Sequence, residues 1–355
     1  MKHTSLPTLL AIAALALTGC GPSEVVDDQA ASEQATASSA SAEGTTQYPL
    51  TIENCGTTTV IEHAPERAVS LDQNSTEILL SLGLADRMVG TASWTDPVLD
   101  NLAADNEKVP RLADNAPTYE VLMDAAPDFV TASFGRHYAT GGVVTRDRLA
   151  ESDIPSYLSP TDCDNGQSVN GGGQRTQPLQ TDEALFQEIR ELAEIFDVTT
   201  RGEELIADLQ TRANTATEGI ASHDATVAFW FADTKTPYIA GGRGAPQFLA
   251  TSTGLTNAFA DQADDWPALT WESVVEANPD VLVLGDLQRD RFPGDRLDDK
   301  IAFLSEDPLT SSMSAVVNER YIALHGAEMN PSIRYVDGLE KIRAWMDEHA
   351  DELGS

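Results

Sequence analysis

Residues 65–83 read Pro65-Glu66-Arg67-Ala68-Val69-Ser70-Leu71-Asp72-Gln73-Asn74-Ser75-Thr76-Glu77-Ile78-Leu79-Leu80-Ser81-Leu82-Gly83. Ala68 to Leu71 is a short apolar strand. Asn74 to Glu77 offer helix-capping side chains ahead of Ile78, Leu79, Leu80 and Leu82, and Gly83 ends the helix. The same alternation continues downstream. Met88 to Ala92 and Phe129 to Ala132 read as strands, with a helix over Tyr119 to Ala125 stopped by Pro127. Val143 to Ala150 reads as a helix and Ile154 to Leu158 as a strand. Strands alternating with helices indicate a parallel α/β lobe. Upstream, Tyr48 to His63 alternates like a hairpin, with a polar turn near Gly56.

Cys163 to Pro178 is polar and contains Gly171-Gly172-Gly173, which predicts a loop. Helices follow over about 182–196 and 200–221. The second carries Leu205, Ile206, Leu209, Ala213 and Ala216 near one face, and at about 1.5 Å per residue it could run roughly 30 Å. The strand–helix pattern then restarts, with strands at Thr226 to Phe231, Val281 to Leu284 and Tyr321 to Leu324. Helices are expected at Ala245 to Ala250, Glu272 to Ala277 and Ile333 to His349. The expected fold is therefore α/β: an N-terminal lobe (48–199) and a C-terminal lobe (223–355) joined by a single long connecting helix (200–222). An internal echo supports two related lobes. Tyr119-Glu120-Val121-Leu122 leads through Pro127-Asp128 into a strand, and Trp271-Glu272-Ser273-Val274 leads through Pro279-Asp280 into another. Each glutamate stands near a helix start, where the positive dipole end favours an acid.

The first twenty residues predict export. Lys2 and His3 precede the apolar run Leu9 to Leu17, and Leu17-Thr18-Gly19-Cys20 follows. So short a run does not span a hydrocarbon core of roughly 30 Å, so it reads as a signal peptide (1–19). Its end resembles a bacterial lipobox, which implies acylation of Cys20 and a lipid anchor on the extracytoplasmic face of the cell membrane. Residues 20–47, rich in Ala, Ser, Thr, Gln and Glu, read as a flexible tether. Cys55 and Cys163 remain, and an exported location favours one disulfide between them; the alternative is two free buried thiols. With 57 acidic and 22 basic residues the net charge is -35. Such a surface repels a phosphate backbone, and nucleic acid is excluded as a partner.

With these residues in hand, the sequence resembles the iron-complex and cobalamin substrate-binding proteins of ABC importers. The resemblance runs from about Tyr48 to the C-terminus. It rests on residues 65–83, on Glu120 with Pro127-Asp128, on Glu272 with Pro279-Asp280, and on Asn330-Pro331-Ser332. It implies a ligand cleft between the lobes, limited closure because the connector is one rigid helix, and a monomer that docks on an ABC permease dimer. Glu120 and Glu272 match the docking glutamates, one per lobe, although exposed acids at helix starts are stabilising without any partner. No cofactor of its own is implied, and the expected cargo is an iron(III) chelate, with cobalamin, haem or another cofactor-like compound as the alternative.

Ligand contacts are expected on loops after strand ends. The candidates are Gln73 and Asn74 with Asp72; Phe134, Arg136, His137 and Tyr138; Tyr238 and Arg243; and Asn330 and Arg334 with Met329. Trp94 and Trp266 are aromatic extras. Arg136 and Arg243 stand out because cations are scarce here and a cleft arginine binds carboxylate, catecholate or hydroxamate oxygens. A surface salt bridge is the alternative for each. No metal site is expected, since the six histidines form no obvious ligand set. There is no Gly-x-Ser-x-Gly, His-Glu-x-x-His or Walker motif, so a secreted hydrolase is disfavoured. Gly241-Gly242-Arg243-Gly244 lacks the Lys and spacing of a phosphate loop.

Overall fold

The computed structural model describes residues 44–164, 175–220, 224–289 and 291–353. The signal segment, Cys20, most of the tether and Gly171 to Gly173 lie outside them.

Two parallel sheets form the two lobes. The first has strand order β5-β4-β3-β6-β7 and is built from β3 (Ala68–Ser70), β4 (Met88–Ala92), β5 (Arg111–Ala113), β6 (Phe129–Ala132) and β7 (Ser156–Leu158). Every residue of β3, β6 and β7 is buried, as expected of strands covered by helices on both faces. The second has order β10-β8-β11-β12, from β8 (Thr226–Ala232), β10 (Thr256–Asn257), β11 (Val281–Gly285) and β12 (Tyr321–Leu324); β9 (Tyr238–Ile239) pairs antiparallel with β8. In each sheet the chain reverses its direction of winding beside the lobe's first strand, at β3/β6 and at β8/β11. Such switch points open a crevice at the C-terminal strand ends, where ligands bind in open α/β sheets.

The echo between the lobes has a physical basis. Thr118 caps the helix Tyr119–Asp124, accepting from Val121 N, and Thr270 caps the helix Trp271–Ala277, accepting from Ser273 N, each at 3.3 Å. Asp128 accepts the amides of Glu66 and Arg67 ahead of β3, both at 2.9 Å, and Asp280 accepts Thr226 N and Oγ1 at the start of β8, both at 2.8 Å. Each Pro-Asp turn thus fixes the level of its lobe's first strand.

The helix Thr199–Thr217 joins the lobes and packs on the helices Thr181–Ile195 and Tyr335–Glu348. Its buried stripe is Gly202, Ile206, Leu209 and Ala216. A Cβ at Gly202 would stand 2.6 Å from that of Ala193, so glycine sets the close approach of the two helices. Arg201 donates to Leu82 O (3.0 Å) in the first lobe, and Arg212 donates to Glu340 (2.9 and 2.7 Å) and Asp337 (2.5 Å) in the second. One apolar core runs through all three parts, from Phe129 and Phe196 through Leu209 to Val283 and Leu339.

The hairpin of β1 (Leu50–Asn54) and β2 (Thr57–Ile61) turns at Cys55 and Gly56, whose φ angles are 50° and 74°. Positive φ at both central residues suits the right-handed twist of a two-residue turn. The hairpin docks on the edge strand β7. The Asn54 amide exchanges two 2.8 Å bonds with Leu158, Arg146 bonds Asn54 O and Ser156 O, and a disulfide links Cys55 to Cys163. A strand edge open to pairing with other chains is thereby covered. Several expected boundaries shift: the connecting helix expected over 200–222 spans Thr199–Thr217, and the strand expected from Ile154 begins at Ser156. The first helix begins at Gln73 because Asp72, not Asn74, is its cap; the helix expected at Val143 begins at Arg146 behind the cap Thr145; and the last begins at Tyr335.

Candidate ligand-binding cleft

Between the sheets lies a cleft of about 650 Å³, a size that suits a small-molecule site. Its first-lobe wall comes from the ends of β3, β4 and β6. Asp72 is buried; it accepts Ser75 N at 3.0 Å and Ser133 N at 2.8 Å, which ties the start of the first helix to the end of β6. Asn74 reaches the cleft with its Nδ2 unpartnered, and Ser93, also in the lining, has its Oγ unpartnered. Phe134 and Arg136 extend from β6, the guanidinium 4.1 Å from the ring centroid. Burial pulls the Arg136 guanidinium below its usual range; Asp72 and Asp162 oppose that shift, and Arg289 and Arg291 of the other lobe add to it. Cations from both lobes therefore face one space.

The second-lobe wall is aromatic and cationic. Phe231 at the end of β8 packs 4.9 Å from Trp266, and Tyr238 lies 6.3 Å from Phe292. Arg289 stands 5.3 Å from the Phe231 centroid and Arg291 stands 5.3 Å from that of Phe292. Both arginines come from the connection after β11. Arg175 links the walls, 2.9 Å from Asp265 in the second lobe and 3.5 Å from Asp162 in the first. The lining holds four arginines (136, 175, 289, 291) against four aspartates (72, 162, 264, 265). The lining charges balance inside a chain of -35, so the cleft is far less acidic than the molecule as a whole; Arg175 is paired with Asp162 and Asp265, and Arg289 lies 3.4 Å from Asp295.

Of the expected ligand residues, Gln73, Asn74, Phe134, Arg136, Tyr238 and Asn330 line the cleft, as does Trp266. The Gln73 amide is already committed to Thr95 N, Asp96 N and Glu77, so it shapes the wall. Five others are corrected. Tyr138 is buried beneath the sheet, donating to Val130 O and Tyr157 O at 3.0 Å. His137 is buried 3.7 Å from Asp72, and burial, reinforced by Arg136, holds it well below the usual imidazole range, so it is neutral. Trp94 packs inward with Arg111 over its ring at 4.5 Å. Arg334 is consumed by the buried Glu77 and by Pro97 O, an inter-lobe tie at the cleft base. Arg243 donates to the Arg175 carbonyl and stands outside the lining. Gly241 and Gly242 serve packing, since added Cβ atoms would stand 2.1 and 1.9 Å from the carbonyls of Asp264 and Ala260. Arg289, Arg291, Phe292 and Arg175 were missed: they sit in irregular connections where no periodicity points, and only the scarcity of cations could have singled them out.

Glu120 and Glu272 are both exposed, each in the first turn of its Thr-capped helix. Among the described residues, no group of His, Cys, Asp and Glu could hold a metal ion, and no helix is long and apolar enough to cross a membrane.

A two-lobed α/β binding fold is what these features define, and comparison with known proteins supplies the family. The profile described as "Periplasmic binding protein" matches residues 69–327, and the chain belongs to that family. It is 24% identical over 294 residues to an uncharacterized ABC transporter substrate-binding lipoprotein of Bacillus subtilis, covering 80% of this chain and 81% of the relative. It is 23% identical to a vitamin B12-binding protein of Vibrio campbellii, over 61% of this chain and 70% of that one. Among solved structures it resembles a periplasmic binding protein from Veillonella parvula (TM-score 0.69, 24% identity, 84% of this chain and 97% of that one). It also resembles an ABC-type Fe3+-hydroxamate transport protein from Saccharomonospora viridis (TM-score 0.68, 25% identity, 84% and 99%).

Proposed function

We propose that this protein is the extracytoplasmic substrate-binding component of an ABC importer, and that it captures an oxygen-rich, anionic ferric chelate. One observation carries the ligand reading: Arg136 from one lobe and Arg289 and Arg291 from the other converge on a cleft whose second wall is aromatic. Guanidinium groups suit carboxylate, catecholate and hydroxamate oxygens, and aromatic faces suit the apolar body of a chelate. The chain's own cations are otherwise submerged in acids, so long-range steering opposes an anion, and close desolvated contact must supply the affinity. The protein itself catalyses nothing in this reading. Cys20 would carry the lipid anchor, and Glu120 and Glu272 would meet basic residues of a permease dimer. Native mass spectrometry of protein purified from its own host tests the cargo. A retained mass containing iron and an organic chelator is expected; a retained cobalamin or haem would replace the siderophore reading with the alternative cargo.

A further inference from the structure

Lys300 is the anomalous side chain outside the cleft wall: a lysine with no solvent exposure, in the helix Leu297–Glu306. Its Nζ donates to Gly285 O at 2.7 Å, to Gly294 O, and to Asp295 O at 3.4 Å, and lies 5.2 Å from the Trp230 ring centroid. Those carbonyls stand at the two ends of the connection from β11 to the helix. That connection brings Arg289, Arg291 and Phe292 to the cleft. Asp295 completes the clasp. Its Oδ2 accepts Arg291 N at 2.8 Å and Phe292 N at 2.9 Å and lies 3.4 Å from Arg289 Nε, while its carbonyl accepts Leu287 N at 2.8 Å.

We propose that Lys300 is a positioning residue for the ligand site, its ammonium binding both ends of the arginine-bearing connection and so holding Arg289 and Arg291 toward the cleft. The proposal rests on the cleft being the ligand site. An ammonium has three N–H donors and meets three carbonyls; a neutral amine has two and no charge to strengthen them. The charged groups facing it are Asp295, Asp286 and Asp299, which favour the cation, and Arg289, which opposes it. Burial outweighs the acids and pushes the Lys300 pKa down to about 8. A lysine whose folded pKa lies below its unfolded value leaves the folded state with fewer protons, so from about 8 towards its ordinary pKa rising pH favours the fold over any open state that returns Lys300 to water. The clasp is therefore read from substitutions at one pH.

The test is limited trypsinolysis of the full chain at about pH 7, with thermal melts run in parallel. In Lys300→Met, cleavage after Arg289 and Arg291 should be roughly fivefold faster than in the wild type, while sites in the first lobe keep their wild-type rate. Lys300→Arg, which keeps the charge, should stay within about twofold of the wild type. Wild-type protection in Lys300→Met, or equal acceleration at every site, overturns the proposal; if the Met variant does not fold, Lys300→Gln decides in its place. Affinity for a ferric hydroxamate should fall in step with that cleavage. Site-specific cleavage in the variant with no chelate binding by the wild type overturns the ligand reading alone.

Discussion

At the residue scale, the least comfortable group is Glu188, fully buried in the helix Thr181–Ile195. Its Oε2 accepts from Ser159 Oγ at 2.5 Å and its Oε1 has no partner. Burial, with the nearby carboxylates of Asp72 and Glu191, pushes its pKa up to about 8. This is the reverse of the common carboxylate case. The folded state holds the proton between the ordinary value near 4.5 and about 8, so stability is fully present below that window and declines as pH rises through it. Glu188→Gln keeps the shape and removes the titration. The variant should flatten the fall in melting temperature between about pH 5 and pH 8 and be the more stable form at the upper end, by a gain on the order of a few kcal/mol at most. Chemical denaturation at both pH values measures it, and an unchanged slope in the variant would mean that Glu188 is ionised in the fold.

At the scale of elements, the two Thr-capped helices carry the proposed docking acids. Glu120 and Glu272 are exposed, so replacing either with Ala should leave the melting temperature close to that of the wild type and chelate affinity unchanged. Transport assays with reconstituted permease should nevertheless lose uptake; a loss of affinity in the isolated protein would instead place these residues in the ligand site. The regular elements were legible because their signals are local. The helix at Thr199–Thr217 shows its stripe of Ile206, Leu209 and Ala216, and the Pro-Asp turns mark strand starts. The cleft was legible only in part, since burial and pairing are properties of the fold. Nothing in the sequence distinguishes Arg334, consumed by Glu77, from Arg136, which faces the cleft. Nothing local marks the connection after β11, whose shape depends on Lys300 and Asp295 reaching back across it.

At the scale of the molecule, the lobes are held by more than the joining helix. Glu77 with Arg334, and Asp96 accepting Gly326 N at 3.3 Å and Ala327 N at 2.8 Å, tie them at the cleft base, while Arg175 spans Asp162 and Asp265. A continuous apolar core behind these ties leaves closure to small shifts rather than a wide hinge. In the proposed reading the cleft meets its ligand nearly preformed, and affinity would depend on the cations already in place. Tryptophan quenching, with Trp266 in the cleft wall as reporter, tests this most directly. Ferric hydroxamate, catecholate and carboxylate chelates are titrated into the wild type and into the double variant Arg136→Gln, Arg291→Gln. At least one chelate should bind saturably, and each lost arginine should remove about 1.5–3 kcal/mol, so the double variant should bind it about a hundredfold more weakly or worse. Binding of cobalamin or haem with no response to any ferric chelate, or a double variant as tight as the wild type, would contradict the account.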